Sequence, residues 1–146
     1  MIRSDSYTTL VDATGDFYDL FPLSDDCWEF FLGDVCGKGA AAAAVTSLTR
    51  YSLRAAAVFN DEPVQVLHNL NSVCMHEYLG QQATFCTVVF GVLTRAADGF
   101  DVTMTTGGHL PPILLRRAGT ASQLSALRGN AVGIASDPQF GSLQLI

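Results

Sequence analysis

Charge is scarce in this chain. Asp, Glu, Lys and Arg make up 15% of its 146 residues, against about 25% in an average soluble domain. A surface so poor in charge is expected to be covered by another domain, a partner chain or further sequence. Basic residues are the scarcer sign: 8 Lys and Arg stand against 14 Asp and Glu, a net charge of −6. That balance excludes a general nucleic-acid surface, which needs cations to displace the counterions of phosphates. It suits a site that gathers metal cations. No run approaches the roughly 18 apolar residues of a membrane span. Met1–Leu10 carries Arg3, Asp5 and no apolar block, so no secretory signal is read there. The cysteines, Cys27, Cys36, Cys74 and Cys86, form no CxxC pair, which excludes a zinc knuckle or a thioredoxin-type site. They are expected to be reduced thiols packed as small hydrophobes in a cytoplasmic protein. Internal repeats and low-complexity linkers are also lacking, so residues 1–146 read as a single domain.

What is present begins with a hairpin. Gly15-Asp16-Phe17-Tyr18-Asp19-Leu20-Phe21-Pro22-Leu23 and Cys27-Trp28-Glu29-Phe30-Phe31-Leu32-Gly33-Asp34-Val35 flank Ser24-Asp25-Asp26, a strand–turn–strand pattern. A turn centred on Asp25 sets Asp16 opposite Asp34 and Leu23 opposite Cys27. The same register places Tyr18, Leu20 and Pro22 on one face with Leu32, Phe30 and Trp28, and the two carboxylates at the end of that face. Directly opposed like charges repel. A chain tolerates them by sharing a proton or by placing a divalent cation between them, and oxygen ligands suit magnesium or manganese. The bland reading of the pair is capping or turn carboxylates at strand ends.

A glycine-rich loop, Gly33 to Gly39, leads to an expected helix over Ala40–Phe59. Its inward stripe is read as Ala41, Ala44, Val45, Leu48, Ser52, Ala55 and Phe59. Asn60-Asp61-Glu62-Pro63 is a stop followed by a start. Val64–Leu79 is then a second helix, with Val66, Leu67, Leu70, Val73, Cys74 and Tyr78 inward. Thr84–Leu93 reads as a strand buried on both faces. Asp98-Gly99 is a hairpin turn, and Phe100–Thr106 the return strand. Short strands are expected at Ile113–Arg117 and Gln123–Leu127, about a turn at Ala118-Gly119. Phe140–Ile146 begins another strand and stops within it. Domains rarely leave such an edge open, so the chain is expected to be truncated at its C-terminus.

Three segments in order, Gly15-Asp16-Phe17-Tyr18-Asp19, Gly33-Asp34-Val35-Cys36-Gly37-Lys38-Gly39-Ala40 and Gly107-Gly108-His109-Leu110-Pro111-Pro112, resemble one family. They look like the SpoIIE/RsbU-type branch of the metal-dependent serine/threonine protein phosphatases (the PPM family). Phe85-Cys86-Thr87-Val88-Val89 matches that branch's central strand. The resemblance implies an α+β fold, an antiparallel β-sandwich flanked by helices, whose C-terminal part is missing here. It implies hydrolysis of phosphoserine or phosphothreonine on a protein, with two Mn2+ or Mg2+ ions activating the attacking water. It assigns metal binding to Asp16 and Asp34, and to Val35 through its backbone carbonyl. The substrate it implies is a phosphorylated STAS-type anti-sigma-factor antagonist in a bacterial signalling or stress-response pathway, behind an upstream PAS, GAF or receiver domain. Thr14 stands where the family usually has glycine. A later "TDG"-like motif and a final metal aspartate have no counterpart before Ile146.

Around the pair, Asp19 reads as a support to the site or a solvated residue. Lys38 reads as a phosphate contact or a loop lysine. His109 reads as a residue near substrate or, by preference, a turn stabiliser. Arg50 and Arg54 share a helix face, either solvated or facing an acidic partner. The glycine loop is no P-loop: only three residues separate Gly33 from Gly37, and Gly39 stands where Ser or Thr should follow the lysine. Two other functions remain beside the phosphatase: a catalytically degenerate regulatory or binding module of the same fold, and a small-molecule phosphohydrolase. The charge-poor surface also leaves room for a helix-mediated homodimer.

Overall fold

The computed structural model describes residues 15–60, 62–78 and 84–145. Met1–Leu10, Thr14, Asp61, Leu79 and Ile146, which enter the sequence reading above, lie outside these. Nine elements follow in order: β1 Asp16–Ser24, β2 Cys27–Val35, α1 Gly39–Phe59, α2 Pro63–Glu77, β3 Cys86–Ala96, β4 Gly99–Gly107, β5 Ile113–Leu115, β6 Ala121–Gln123 and β7 Gly141–Leu145.

Alternation in β1 and β2 sends Phe17, Phe21 and Phe31 to one face, where each is at least nine-tenths buried. Their rings meet edge-on or tilted, with Phe31 6.0 Å from Phe17 and 6.2 Å from Phe21. β3, apolar on both faces, pairs with β2, and β4 and β7 extend the sheet in the order β1-β2-β3-β4-β7. Every one of these pairings is antiparallel. β5 and β6 form a separate two-stranded hairpin. α1 packs on β1 and β2, α2 on β3, β4 and β7, and the helices pack on each other. The core thus lies between one sheet face and two helices. The antiparallel α+β fold read from the sequence is the fold observed. Of its expected second sheet, the described residues contain the β5–β6 hairpin.

The face holding Tyr18, Leu20 and Leu32 is the other one. These three are 53%, 41% and 49% exposed, so the apolar set traced in sequence is not the core of the hairpin. The core is its complement, and both faces are apolar enough that alternation alone does not rank them. The expected Leu23–Cys27 pair is also corrected. The register runs from Asp16↔Asp34 to Pro22↔Trp28 and then shifts, so that Ser24 pairs with Cys27 and Leu23 is the extra residue of an irregularity.

The inward stripe of α1 is Ala42, Val45, Thr46, Thr49, Leu53 and Ala57, not the one expected. Ala55 is exposed and Phe59 is 90% exposed. Small side chains let this helix lie close to the sheet, and the Thr46 hydroxyl is accommodated locally, donating to the Ala42 carbonyl at 2.9 Å. A polarity count misreads such threonines as outward. In α2, Val66, Leu67, Leu70 and Cys74 are buried as expected, and Asn71 joins them. Asn71 is satisfied by the Ala135 carbonyl at 2.9 Å and the Gly133 N–H at 2.8 Å. All four cysteines are free thiols.

Candidate metal centre

Asp16 opens β1, and Asp34 is one residue from the end of β2. The uninterrupted register between Pro22 and Asp16 brings them directly opposite. Both are exposed. Next to them the Val35 N–H donates to the Gly15 carbonyl at 3.0 Å, which closes the open end of the hairpin. Gly15 adopts φ +92°, a left-handed conformation that side-chain-bearing residues rarely take. A Cβ built on it would lie 2.7 Å from the Val35 carbonyl oxygen and 2.9 Å from Asp34 Oδ1. The absent side chain therefore leaves a space on which two oxygens converge. Thr46 of α1 also reaches the Gly15 carbonyl, at 3.5 Å.

This donor set fits a hard divalent cation. Two carboxylates and one main-chain carbonyl are oxygen ligands of the kind Mg2+ and Mn2+ take, and Mg2+ commonly keeps water in its remaining positions. Among the described residues, no group of three His, Cys, Asp or Glu is arranged to hold a metal ion.

The other residues singled out in sequence have separate fates. Asp19 lies on the helix side of β1, where it accepts from Arg54 at 2.6 Å and Arg50 at 3.2 Å. It is not a solvated residue; it ties β1 to α1. The two arginines are therefore occupied within the chain, and Arg54 also covers the Phe21 ring at 4.3 Å. Burial alone would raise the Asp19 pKa. Hydrogen bonds from Arg54, Arg50 and the Leu20 N–H, with the charge of Arg54, outweigh it and hold the carboxyl below 3.8. A depressed folded pKa gives stability that is present above the unfolded value and lost as pH falls through the folded one. Arg54 is 44% exposed, so solvent screening holds the contribution to about 1 kcal/mol or less. Asp19→Asn is expected to lower the urea midpoint at pH 7, with the gap from the wild type closing below pH 3.8. A gap equal at both pH values would contradict the ion-pair account.

Lys38 is exposed at the N-cap of α1 and makes no capping hydrogen bond with its side chain. It lies four residues past Asp34 in the chain. His109 is brought to the site by β3. Thr87 is the cross-strand partner of Asp34, and its Oγ1 lies 2.8 Å from His109 Nδ1. The His109 main chain is fixed separately, its N–H donating to Thr106 Oγ1 at 3.1 Å, while Gly108 bridges to Val88. Burial lowers the His109 pKa, and the nearby charges of Asp34 and Asp16 only partly offset it. Turn stabilisation is thus the work of the backbone and Thr106, while the ring reaches across to β3. Sequence reasoning passed over Thr87. The available signal was its place in the strand next to β2, which becomes informative only once the β2–β3 register is known.

The comparisons with known proteins identify the family and the fold. The family model described as Stage II sporulation protein E (SpoIIE) matches residues 24–145. The chain belongs to the SpoIIE family. The matched span of this SpoIIE-family chain includes Asp34, Val35, Lys38 and His109 and begins after Asp16 and Asp19. Protein IcfG of Synechocystis sp. (strain ATCC 27184 / PCC 6803 / Kazusa) is 30% identical over 88% of the chain and 24% of its own length. The chain thus spans about a quarter of that curated relative. Among solved structures, the RsbU and RsbW domains of Rv1364c from Mycobacterium tuberculosis superpose with a TM-score of 0.69 at 25% identity, over 90% of this chain and 35% of that one. The PP2C phosphatase domain of SpoIIE from Bacillus subtilis, solved with a fragment of its regulatory domain, gives 0.61 at 21% identity, over 90% and 38%. The S. agalactiae serine/threonine phosphatase gives 0.69 at 12% identity, over 100% and 71%. The last two bear on the fold alone. Family and fold are those of the SpoIIE/RsbU-type branch of the PPM phosphatases.

Proposed function

We propose that this chain contributes Asp16, Asp34 and the Val35 carbonyl to a divalent-metal site for hydrolysing phosphoserine or phosphothreonine on a regulatory protein. The observation that carries the reading is the convergence at one end of the β1–β2 hairpin. Asp16 stands opposite Asp34, and the Val35 carbonyl and Asp34 Oδ1 face the space that Gly15 leaves empty. Asp16, Asp34 and the Val35 carbonyl would hold the ion, Mn2+ or Mg2+; the family implies two such ions. Bound there, a divalent cation supplies Lewis acidity towards phosphoryl and water oxygens. The chain's own residues have simpler tasks. The hairpin fixes both carboxylates before any ligand arrives, and the Gly15–Val35 hydrogen bond keeps the carbonyl turned to the same spot. Exposure of both carboxylates suits a substrate presented on a protein surface rather than a small molecule in a closed pocket. Lys38, exposed at the start of α1, would be the residue to meet an incoming phosphate. No helix among the described residues is long and apolar enough to cross a membrane.

The substrate we favour is a phosphorylated STAS-type protein of a sigma-factor pathway. The family, and the RsbU and RsbW domains found among the structural neighbours, support this choice. The test is release of phosphate from a phosphoserine-bearing STAS protein by the purified full-length protein with Mn2+. Expected is turnover that stops on chelation and returns with metal. Tight binding of the phosphoprotein without turnover would instead make it a degenerate binding module. Faster turnover of small phosphoesters than of the phosphoprotein would make it a small-molecule phosphohydrolase.

A further inference from the structure

His109 has one ring nitrogen engaged and one open. Nδ1 lies 2.8 Å from the Thr87 hydroxyl. Nε2 makes no hydrogen bond among the described residues, and His109 is half-buried. The ring is also close enough to Asp34 and Asp16 to feel both charges, yet it makes no three-residue metal cluster with them. It therefore stands beside the metal pair without joining it.

We propose that His109 contacts the substrate: the Thr87 hydroxyl donates to Nδ1, which keeps the proton on Nε2, and Nε2–H donates to a phosphoryl oxygen of a phosphoester held there by the divalent cation that Asp16 and Asp34 would bind. The inference rests on the phosphatase reading above. Three observations support it. The Thr87 hydroxyl has no other acceptor among the described residues, so donation to Nδ1 is the arrangement that satisfies it. The lowered pKa of the ring leaves it neutral near pH 7, so it carries a single N–H and its tautomer decides what Nε2 can do. The backbone is pinned at Thr106 and at the Gly108–Val88 bridge, so the donor is positioned in advance, the condition under which a hydrogen bond to developing phosphoryl charge is effective. Thr87 is then a positioning residue: it acts through His109.

The experiment has a part that needs no turnover. Nitrogen-15 NMR of the histidine rings should show His109 of the wild type protonated on Nε2, and a mixture of tautomers in Thr87→Val. A wild-type ring protonated on Nδ1 overturns the proposal whatever the activity. With Mn2+ present, His109→Ala should weaken inorganic phosphate binding about tenfold and leave Mn2+ affinity unchanged. In the full-length protein it should lower kcat/KM for p-nitrophenyl phosphate by about 10²-fold, and His109→Gln, which keeps an N–H donor, should recover part of the loss. Thr87→Val should cost roughly tenfold, and Thr87→Ser should stay close to the wild type. Unchanged phosphate affinity and turnover in His109→Ala overturn the inference. A wild type that binds no Mn2+ and hydrolyses no phosphoester overturns the phosphatase reading instead.

Discussion

Asp16→Asn or Asp34→Asn is expected to reduce manganese-dependent phosphate release to the assay background and, in the metal-free chain, to raise the unfolding midpoint. The two effects have one cause. The β1–β2 register holds the carboxylates opposite each other, and like charges in directly opposed positions destabilise a strand pair. Neutralising one removes that repulsion and, with it, an oxygen charge that the proposed cation would need. Adding Mn2+ should therefore raise the wild-type midpoint, because the ion binds the folded state and not the unfolded one, and leave the variants where they were. A purely structural pair of capping carboxylates would behave otherwise: each Asn variant would lose stability in the absence of metal, and Mn2+ would treat all three proteins alike.

The second large effect concerns which face of the hairpin is the core. Phe31 is 1% exposed and packs against Phe17 and Phe21, while its neighbour Leu32 is 49% exposed on the opposite face. Phe31→Ala removes a buried ring with little prospect of collapse around it, which costs about 3–5 kcal/mol. Domains hold only about 5–15 kcal/mol in total, so this variant should unfold at much lower urea and populate the unfolded state at physiological temperature. Leu32→Ala should cost about 1 kcal/mol or less, as exposed positions do. Equal losses at the two positions, read from urea midpoints, would mean that the outer face is as well covered as the inner one.

These two residues also show how far the sequence could be read. The Asp16–Asp34 register follows from strand length and turn position, both local properties, and it was legible. So were α1, α2 and the β3–β4 hairpin, whose periodicities and Gly/Pro punctuation are local too. The choice of core face was not, because Tyr18, Leu20 and Leu32 are largely apolar while the core face carries Asp19 and Glu29 between Phe17, Phe21 and Phe31. Only the docking of α1 decides between them. For the same reason the stripe of α1 was misread: Thr46 and Thr49 are buried because the helix lies close to the sheet, and their polarity pointed the other way. The bulge at Leu23 is a one-residue effect at a turn, which alternation does not register. Asp16, Asp34 and Val35 of the proposed site share one hairpin, so their juxtaposition could be traced from local sequence. Thr87 comes from β3, more than fifty residues on, and meets Asp34 through a pairing that no spacing rule supplies. The role of Asp19 was hidden likewise, since its partners sit on α1.

A titration of the isotopically labelled chain with Mn2+, followed through paramagnetic broadening of backbone amides, tests the proposed metal site most directly. Broadening should begin at Gly15, Asp16, Asp34 and Val35, saturate, and vanish in Asp16→Asn and Asp34→Asn. Broadening confined to the acidic turns at Asp25-Asp26 and Asp98, with the Gly15 end of the hairpin untouched, would contradict it.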